Sequence, residues 1–342
     1  MATLIRPPPP RANSSRGDTL VAVSPVRIAV IGAGSFGRNH LRVLRNSSNA
    51  TLTAVADVNS GRAAVASAEF GCPAVSTLAE LKGMIDAAVV AVPTTAHAEI
   101  GCDLLEAGID VLVEKPIAAD AASARRLVDI ANRRGRILQV GHLERFNPAV
   151  MALRRLSTAP LFFEIHRMSV FTPRSLDVDV VLDLMIHDVD IVLSMVGCRP
   201  EEIRAAGLSV LSRKADIANV RMAFPTGCIA NFTASRVSTE RVRKLRVFQP
   251  SQYLSLDYQR QDLLAFSVED GPDGAREIRC EVVPVEKSEP LKLELEAFLA
   301  SVVSRTPPPV SGEEGLAALE DALEIIAKIE EHTARIEAHL AT

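Results

Sequence analysis

The sequence predicts an α/β domain built on a doubly wound parallel sheet, followed by an α+β domain with a mostly antiparallel, open-faced sheet. Three observations carry this. A G-x-G-x-x-G run, Gly32-Ala33-Gly34-Ser35-Phe36-Gly37, follows a short apolar strand and opens a helix pattern. Strand and helix patterns then alternate as far as Val140, as crossover connections between parallel strands require. Beyond Phe146-Asn147-Pro148 the alternation stops, and strand candidates follow one another with short turns.

In order, Val26–Ile31, Thr51–Ala56, Asp86–Val92, Asp110–Val113 and Ile137–Val140 are short apolar runs of the kind buried on both faces of a parallel sheet. Phe36–Arg45, Ser60–Phe70, His97–Ala107 and Ala119–Arg133 lie between them with helical spacing, the second and third closed by Gly71 and Gly108. In the second half come a helix over Pro148–Leu156, a strand over Phe162–Val170 and an amphipathic helix from about Val180 to Val196. Strands are expected at Glu202–Ser209, Ile217–Phe224, Cys228–Ala234, Leu245–Gln249, Tyr253–Asp257, Leu263–Val268 and Glu277–Val283. Two helices close the chain, Leu291–Val303 and Glu313–Leu340, parted by three prolines at 307–309. The stripe Leu316, Leu319, Leu323, Ile326 and Ile329 on the last helix reads as core. The domains are thus a tail over 1–25, a first domain over 26–145 and a second over 146–342 that includes both last helices.

Composition narrows the function. The chain has 342 residues, enough for two domains at roughly 100–200 residues each. Its net charge of −4 supplies no general attraction for nucleic acid. Five cysteines, at 72, 102, 198, 228 and 280, have no metal-ligand or redox spacing, so neither a structural metal nor a disulfide framework is expected. The proline-rich start lacks the apolar core of a signal peptide, and no stretch is long and apolar enough to span a bilayer. A cytoplasmic location is expected.

The glycine run has the context of a dinucleotide-binding (Rossmann) turn. Gly32 permits the tight turn, Gly34 lets the backbone approach a pyrophosphate, and Gly37 lets the helix pack on the strand. Ser35 and Phe36 open the helix whose N-terminus faces the phosphates. Asp57, at the end of the second strand, is placed to accept hydrogen bonds from ribose hydroxyls and to repel a 2′-phosphate, which favours NAD over NADP. A glycine turn that binds FAD, or nothing, is the competing reading.

Two further groups stand out. Glu114-Lys115-Pro116 ends another strand of the pattern, where ligands of doubly wound sheets lie. A lysine pairing with Glu114 at the surface is the bland alternative. Asp183 and His187 are four residues apart on an otherwise apolar helix, hence on one face, with Asp190 at the next turn. A buried histidine held by carboxylates would look the same.

With GAGSFG, the segment AVPTTAHAEI, VLVEKPIA, GHLERFNP and the D-x-x-x-H pair taken together, the chain resembles the glucose–fructose oxidoreductase and inositol dehydrogenase (Gfo/Idh/MocA) family over nearly its whole length after Val26. The resemblance implies an NAD-dependent dehydrogenase of a sugar-like substrate. In it His187 serves as acid/base, Lys115 touches substrate and nicotinamide, and Asp183 helps hold the reacting hydroxyl. It also implies cofactor contacts from Pro93, Thr94, His97 and Glu114, a cis Lys115–Pro116 peptide, and a homodimer or homotetramer. Two departures from the family's usual pattern are Thr94, where many relatives carry Asn, and Asp177-Val178-Asp179-Val180, where many carry a glycine run.

The segments GHLERFNPAV, DVDVVLDLMIHDVDIV and ASRVSTERVRKLRVFQPSQYLSLDY resemble a narrower group within that family, the UDP-N-acetylglucosamine 3-dehydrogenases of lipid A synthesis. A nucleotide diphosphate needs cationic partners, and Arg145, Arg167, Arg174 and Arg236, with Asn147, lie in or beside the segments expected to face the crevice. Solvated surface arginines are the alternative. Two other functions stay open: a dehydrogenase of a free polyol or sugar, and a non-catalytic sensor of dinucleotide or sugar, against which the intact Lys115, Asp183 and His187 weigh. No metal, nucleic acid or membrane partner is expected.

Overall fold

The computed structural model describes residues 24–172, 178–270 and 275–341. The first domain runs β1 (Val26–Ile31), α1 (Ser35–Arg45), β2 (Ala50–Ala56), α2 (Ser60–Phe70), β3 (Ala74–Val75), β4 (Ala87–Val90), α3 (His97–Glu106), β5 (Asp110–Glu114), α4 (Ala121–Arg134) and β6 (Leu138–Gly141). All its strands are parallel, in the order β3-β2-β1-β4-β5-β6. The order reverses between β1 and β4, which opens a crevice at their carboxyl ends. The apolar runs are buried as expected: Ile28, Ala29 and Val30 of β1 and Val111, Leu112 and Val113 of β5 have no exposed surface. The two-residue strand β3 was not anticipated, being too short to leave a periodic signal.

The second domain follows with α5 (Pro148–Leu156) and β7 (Phe162–Val170), then a π-helical turn over Val181–Met185 that runs into α6 (Ile186–Val196). Next come β8 (Glu202–Leu208), β9 (Ile217–Ala223), β10 (Ile229–Ser238), β11 (Val242–Gln249), β12 (Gln252–Asp257), β13 (Asp262–Asp270) and β14 (Arg276–Val283). The chain ends with α7 (Pro290–Ser304) and α8 (Gly312–Leu340). These strands form one sheet, β14-β13-β12-β11-β7-β10-β9-β8, antiparallel except where β10 runs parallel to β7. Phe163, Ile165, Phe232, Leu245 and Val247 alternate onto one face and pack against α5, α6 and α8. The other face carries an aromatic row, Phe162, Phe248, Tyr253 and Phe266, the last two stacked with centroids 4.2 Å apart.

The C-terminal helices pack against the first domain as well as the second. Leu295, Phe298, Leu299 and Val302 of α7 lie in the same core as Ile28, Val30 and Val89, so α7 covers the first sheet. Helix α8 serves both domains: Leu319 packs in the first core, whereas Ala318, Ala322, Ile325 and Ile329 pack in the second. An apolar stripe specifies burial without specifying the partner. Ser311 caps α8 in a reciprocal box with Glu314.

Candidate active site

A cleft of about 690 Å³ opens where the first sheet's strand order reverses. It is lined by Gly32, Gly34, Ser35, Phe36, Asp57, Arg62, Pro93, Thr95 and Ala96, among others. Gly32 adopts φ +102°, and a Cβ there would run into the Ala91 carbonyl. Gly37 lies beneath the turn, where a Cβ would strike the carbonyl of Gly32, while space stands open in front of Gly34. This is the cradle a pyrophosphate requires.

Asp57 sits at the cleft's far edge. Its carboxylate accepts from the Ala33 N–H at 2.8 Å, the Asn59 N–H at 2.8 Å and the Arg62 guanidinium at 2.9 Å. Burial pushes its pKa up, but these donors outweigh burial and hold it below the usual carboxylate range. Arg62 was not singled out in the sequence. The structure makes it both Asp57's partner and a wall of the cleft.

Several expected cofactor residues act from behind the cleft. His97 is buried, with Nδ1 2.9 Å from the Pro116 carbonyl oxygen and Nε2 2.9 Å from that of Val92. It ties the loop after β4 to the Glu-Lys-Pro segment. Glu114 pairs with His40, Oε1 to Nε2 at 2.7 Å. Thr94 is not among the lining residues, whereas Pro93, Thr95 and Ala96 are. The Lys115–Pro116 peptide is cis.

The two domains meet at Lys115. Its Nζ donates to the main-chain oxygen of Asp183 at 2.7 Å and to that of Leu182 at 3.4 Å. Both carbonyls belong to the π turn over Val181–Met185, whose wider winding leaves main-chain oxygens available to an outside donor. Asp179 starts this turn by accepting from the Val181 N–H at 2.9 Å. Lys115 thus touches the segment that carries Asp183, and its charge acts on His187 one turn further on. His187 is half-buried. Its pKa is pushed well down by burial and by the cations Lys115, Arg167 and Arg243, so the ring is neutral and able to accept a proton.

The arginines expected to meet a diphosphate are not brought together for that purpose. Arg167 is buried, with Nε 2.7 Å and Nη2 2.8 Å from the Asp188 carboxylate and Nη1 3.0 Å from Glu144. Tyr258 completes the cluster, its hydroxyl donating to Asp188 at 2.9 Å and its ring lying under the guanidinium. Arg145 bridges Asp190 at 3.4 Å and Glu314 at 2.7 Å. Arg236 donates to Asp216 at 2.8 Å and to the Val178 carbonyl at 2.8 Å, bracing the start of the Asp183 helix. Asn147 caps α5 by accepting from the Ala149 N–H. A buried guanidinium is stable only with carboxylates to neutralise it, and these have them within the chain. Arg174 lies outside the described residues. Arg243, passed over in the sequence, lies opposite Arg167 on β11; it is partly exposed, its Nη1 lies 3.9 Å from the Glu144 carboxylate, and its buried Nε has no hydrogen-bond partner.

Among the described residues, no group of three His, Cys, Asp or Glu side chains is placed to hold a metal. No helix among them is long and apolar enough to cross a membrane.

Comparison with known proteins agrees with this geometry. Residues 26–142 match the oxidoreductase family with an NAD-binding Rossmann fold, and residues 157–249 match the GFO/IDH/MocA C-terminal domain. The chain is 35% identical over 307 residues to UDP-N-acetylglucosamine 3-dehydrogenase of Acidithiobacillus ferrooxidans, covering 89% of this chain and 97% of that one. This chain belongs to the Gfo/Idh/MocA oxidoreductase family. A solved structure of that Acidithiobacillus ferrooxidans enzyme superposes with a TM-score of 0.84 over 90% of this chain and 98% of that one. Inositol 2-dehydrogenase of Rhizobium meliloti is 27% identical over 313 residues, covering 86% of this chain and 94% of that one. This family member is an NAD-dependent oxidoreductase, and the open Gly34 cradle with Asp57 at its edge fits that cofactor.

Proposed function

We propose that the enzyme oxidises a ring hydroxyl of a nucleotide sugar to a ketone, at C3 of UDP-N-acetylglucosamine, in the cytoplasm and in the service of lipid A synthesis. The observation that carries the reading is the Lys115–Asp183 contact, which holds the lysine at the end of β5 in one domain against the helix segment of the other that carries His187. The relative at 35% identity, named for this reaction, supports the substrate.

NAD, when bound, supplies the acceptor for the two electrons and the hydrogen leaving the ring carbon. Gly32, Gly34, Ser35 and Asp57 would hold it, and Pro93, Thr95 and Ala96 would wall its cleft. His187 removes the hydroxyl proton; a neutral imidazole is the form needed. Lys115 donates a hydrogen bond to the same oxygen and stabilises the negative charge that builds there. Asp183 orients the hydroxyl. Arg243 meets the diphosphate, because it is more exposed than Arg145, Arg167 and Arg236 and holds its own carboxylate, Glu144, only at 3.9 Å.

The test is NADH formation against a panel of UDP-sugars and free polyols, with the product's mass. UDP-N-acetylglucosamine should give NADH and a product lighter by two hydrogens. Turnover of a polyol alone would favour the inositol-type reading. Binding of UDP-N-acetylglucosamine and NAD with no NADH, under conditions where a coupled reaction removes product, would favour a sensor.

We also infer a homodimer or homotetramer joined through the sheet's outer face. The aromatic row from Phe162 to Phe266 supports this, since its surface is costly to leave in water. Light scattering of wild type and of Tyr253→Lys tests it: the variant should be smaller, and a monomeric wild type would overturn the inference.

A further inference from the structure

A second histidine stands beside the first. β5 and β6 are paired so that Glu114 faces Gly141, which makes Lys115 and His142 neighbours at adjoining strand ends. His142 is 1% exposed, and neither of its ring nitrogens has a hydrogen-bond partner. Its ring stands perpendicular to that of His187, with centroids 6.2 Å apart. His187 in turn has a buried Nδ1 without a partner.

Buried imidazoles ordinarily satisfy their nitrogens. His97 has a carbonyl oxygen 2.9 Å from each ring nitrogen, one of them accepting its N–H, and His40 uses Nε2 on Glu114. His142 does neither, although it lies within the candidate site. A base also imposes its own requirement. For His187 to take a proton on the nitrogen facing the crevice, that nitrogen must be bare, so the ring's one proton must sit on the other. With Nδ1 buried, the bare nitrogen is Nε2 and the buried Nδ1–H needs an acceptor. A neutral imidazole has one acceptor nitrogen to give, and a 6.2 Å centroid separation suits one bridging water better than a direct bond.

We propose that His142 is a positioning residue for His187: through one bridging water its ring accepts a hydrogen bond from His187 Nδ1–H, holding His187 in the tautomer whose Nε2 faces the crevice. This rests on His187 being the base. The hydroxyl proton passes to Nε2 and the imidazolium later returns it to solvent; His142 itself gains and loses no proton. The surrounding charges agree. Lys115, Arg167 and Arg243 face His187 from the first domain, β7 and β11, and Asp183 and Asp188 lie on its own helix segment. Lys115 and Arg145 oppose a charge on His142, while Glu114 and Glu314 favour one. Burial with those cations keeps both rings neutral, His142 down at about 3.

The experiment reads the ring nitrogens of His187 by ¹⁵N NMR in the apo protein, in wild type, His142→Phe and His142→Gln, alongside kcat, KM and NAD affinity. Wild type should show the Nδ1–H tautomer. His142→Phe should shift it toward Nε2–H and lower kcat by about 10- to 100-fold, by analogy with the partners that orient metal-bound histidines, with KM and NAD affinity unchanged. His142→Gln, which keeps an acceptor, should restore most of both. A wild-type His187 in the Nε2–H form would overturn the proposal without any variant, which covers failure of His142→Phe to fold. A folded His142→Phe with unchanged tautomer and kcat would overturn it too. Failure of the base assignment looks different: His187→Asn would then keep its turnover whatever the tautomer.

Discussion

Lys115 Nζ reaches across from the first domain to within 2.7 Å of the Asp183 main-chain oxygen, four residues before His187 on the helix segment of the second. This hydrogen bond joins the end of β5 to the helix segment that carries His187. Lys115→Met keeps much of the side chain's length and loses the donor. A fall in kcat of about 100-fold or more is expected, given the weight of a preorganised donor to a developing oxyanion. Calorimetric NAD affinity and the thermal midpoint should stay near wild type. Loss of the folded state would make the lysine's role structural.

Asp57 and Arg62 form the second test. Asp57 stays ionised at neutral pH because its donors outweigh burial. Removing it leaves the Arg62 cation in the cleft wall, where it can meet a 2′-phosphate. Asp57→Ala should therefore narrow the preference for NAD over NADP, and Asp57→Ala/Arg62→Ala should lose NADP use again. Equal use of both cofactors by the wild type would contradict the role of Asp57.

Arg243 and Arg167 should separate binding from stability. Arg243→Ala should raise KM for a UDP-sugar by about 10- to 100-fold, as the loss of a hydrogen bond to a charged group implies, with little change in the thermal midpoint. Arg167→Met strands Asp188 and Glu144 and should cost about 3–5 kcal/mol of stability by denaturant titration. The reverse pattern would return Arg167 to the substrate.

Asp190 gives a pH dependence. Burial raises its pKa to about 7 despite Arg145. The folded chain then holds a proton that the unfolded chain releases from about pH 4 upward. Its contribution to stability is complete below that pH and lost as pH rises to about 7. Asp190→Asn should raise the thermal midpoint relative to wild type at pH 8 and not at pH 4; an equal effect at both would contradict the assignment.

Much of this was legible in the sequence because it rests on local rules. Glycines at fixed offsets make the phosphate turn, and a four-residue spacing puts Asp183 and His187 on one helix segment. What stayed hidden depends on partners distant in the chain. The type of Arg167 announces a cation but not the Asp188 that consumes it. The π turn under Asp183 reads as ordinary helix, since VLDLM carries no mark of its extra winding. Helix α7 looks apolar enough to be buried, yet nothing local says that it returns to the first sheet. His142 sits in view within GHLERFNP, but that its nitrogens are unpartnered is a property of the assembled site.

The most direct test of the chemistry is His187→Asn, which keeps a polar side chain and removes the base. Turnover of UDP-N-acetylglucosamine with NAD should drop by about 100-fold or more, the weight of general-base catalysis, while NAD binds as in wild type. Near-normal turnover in a folded His187→Asn protein would remove the histidine from the mechanism and leave it a half-buried side chain of α6.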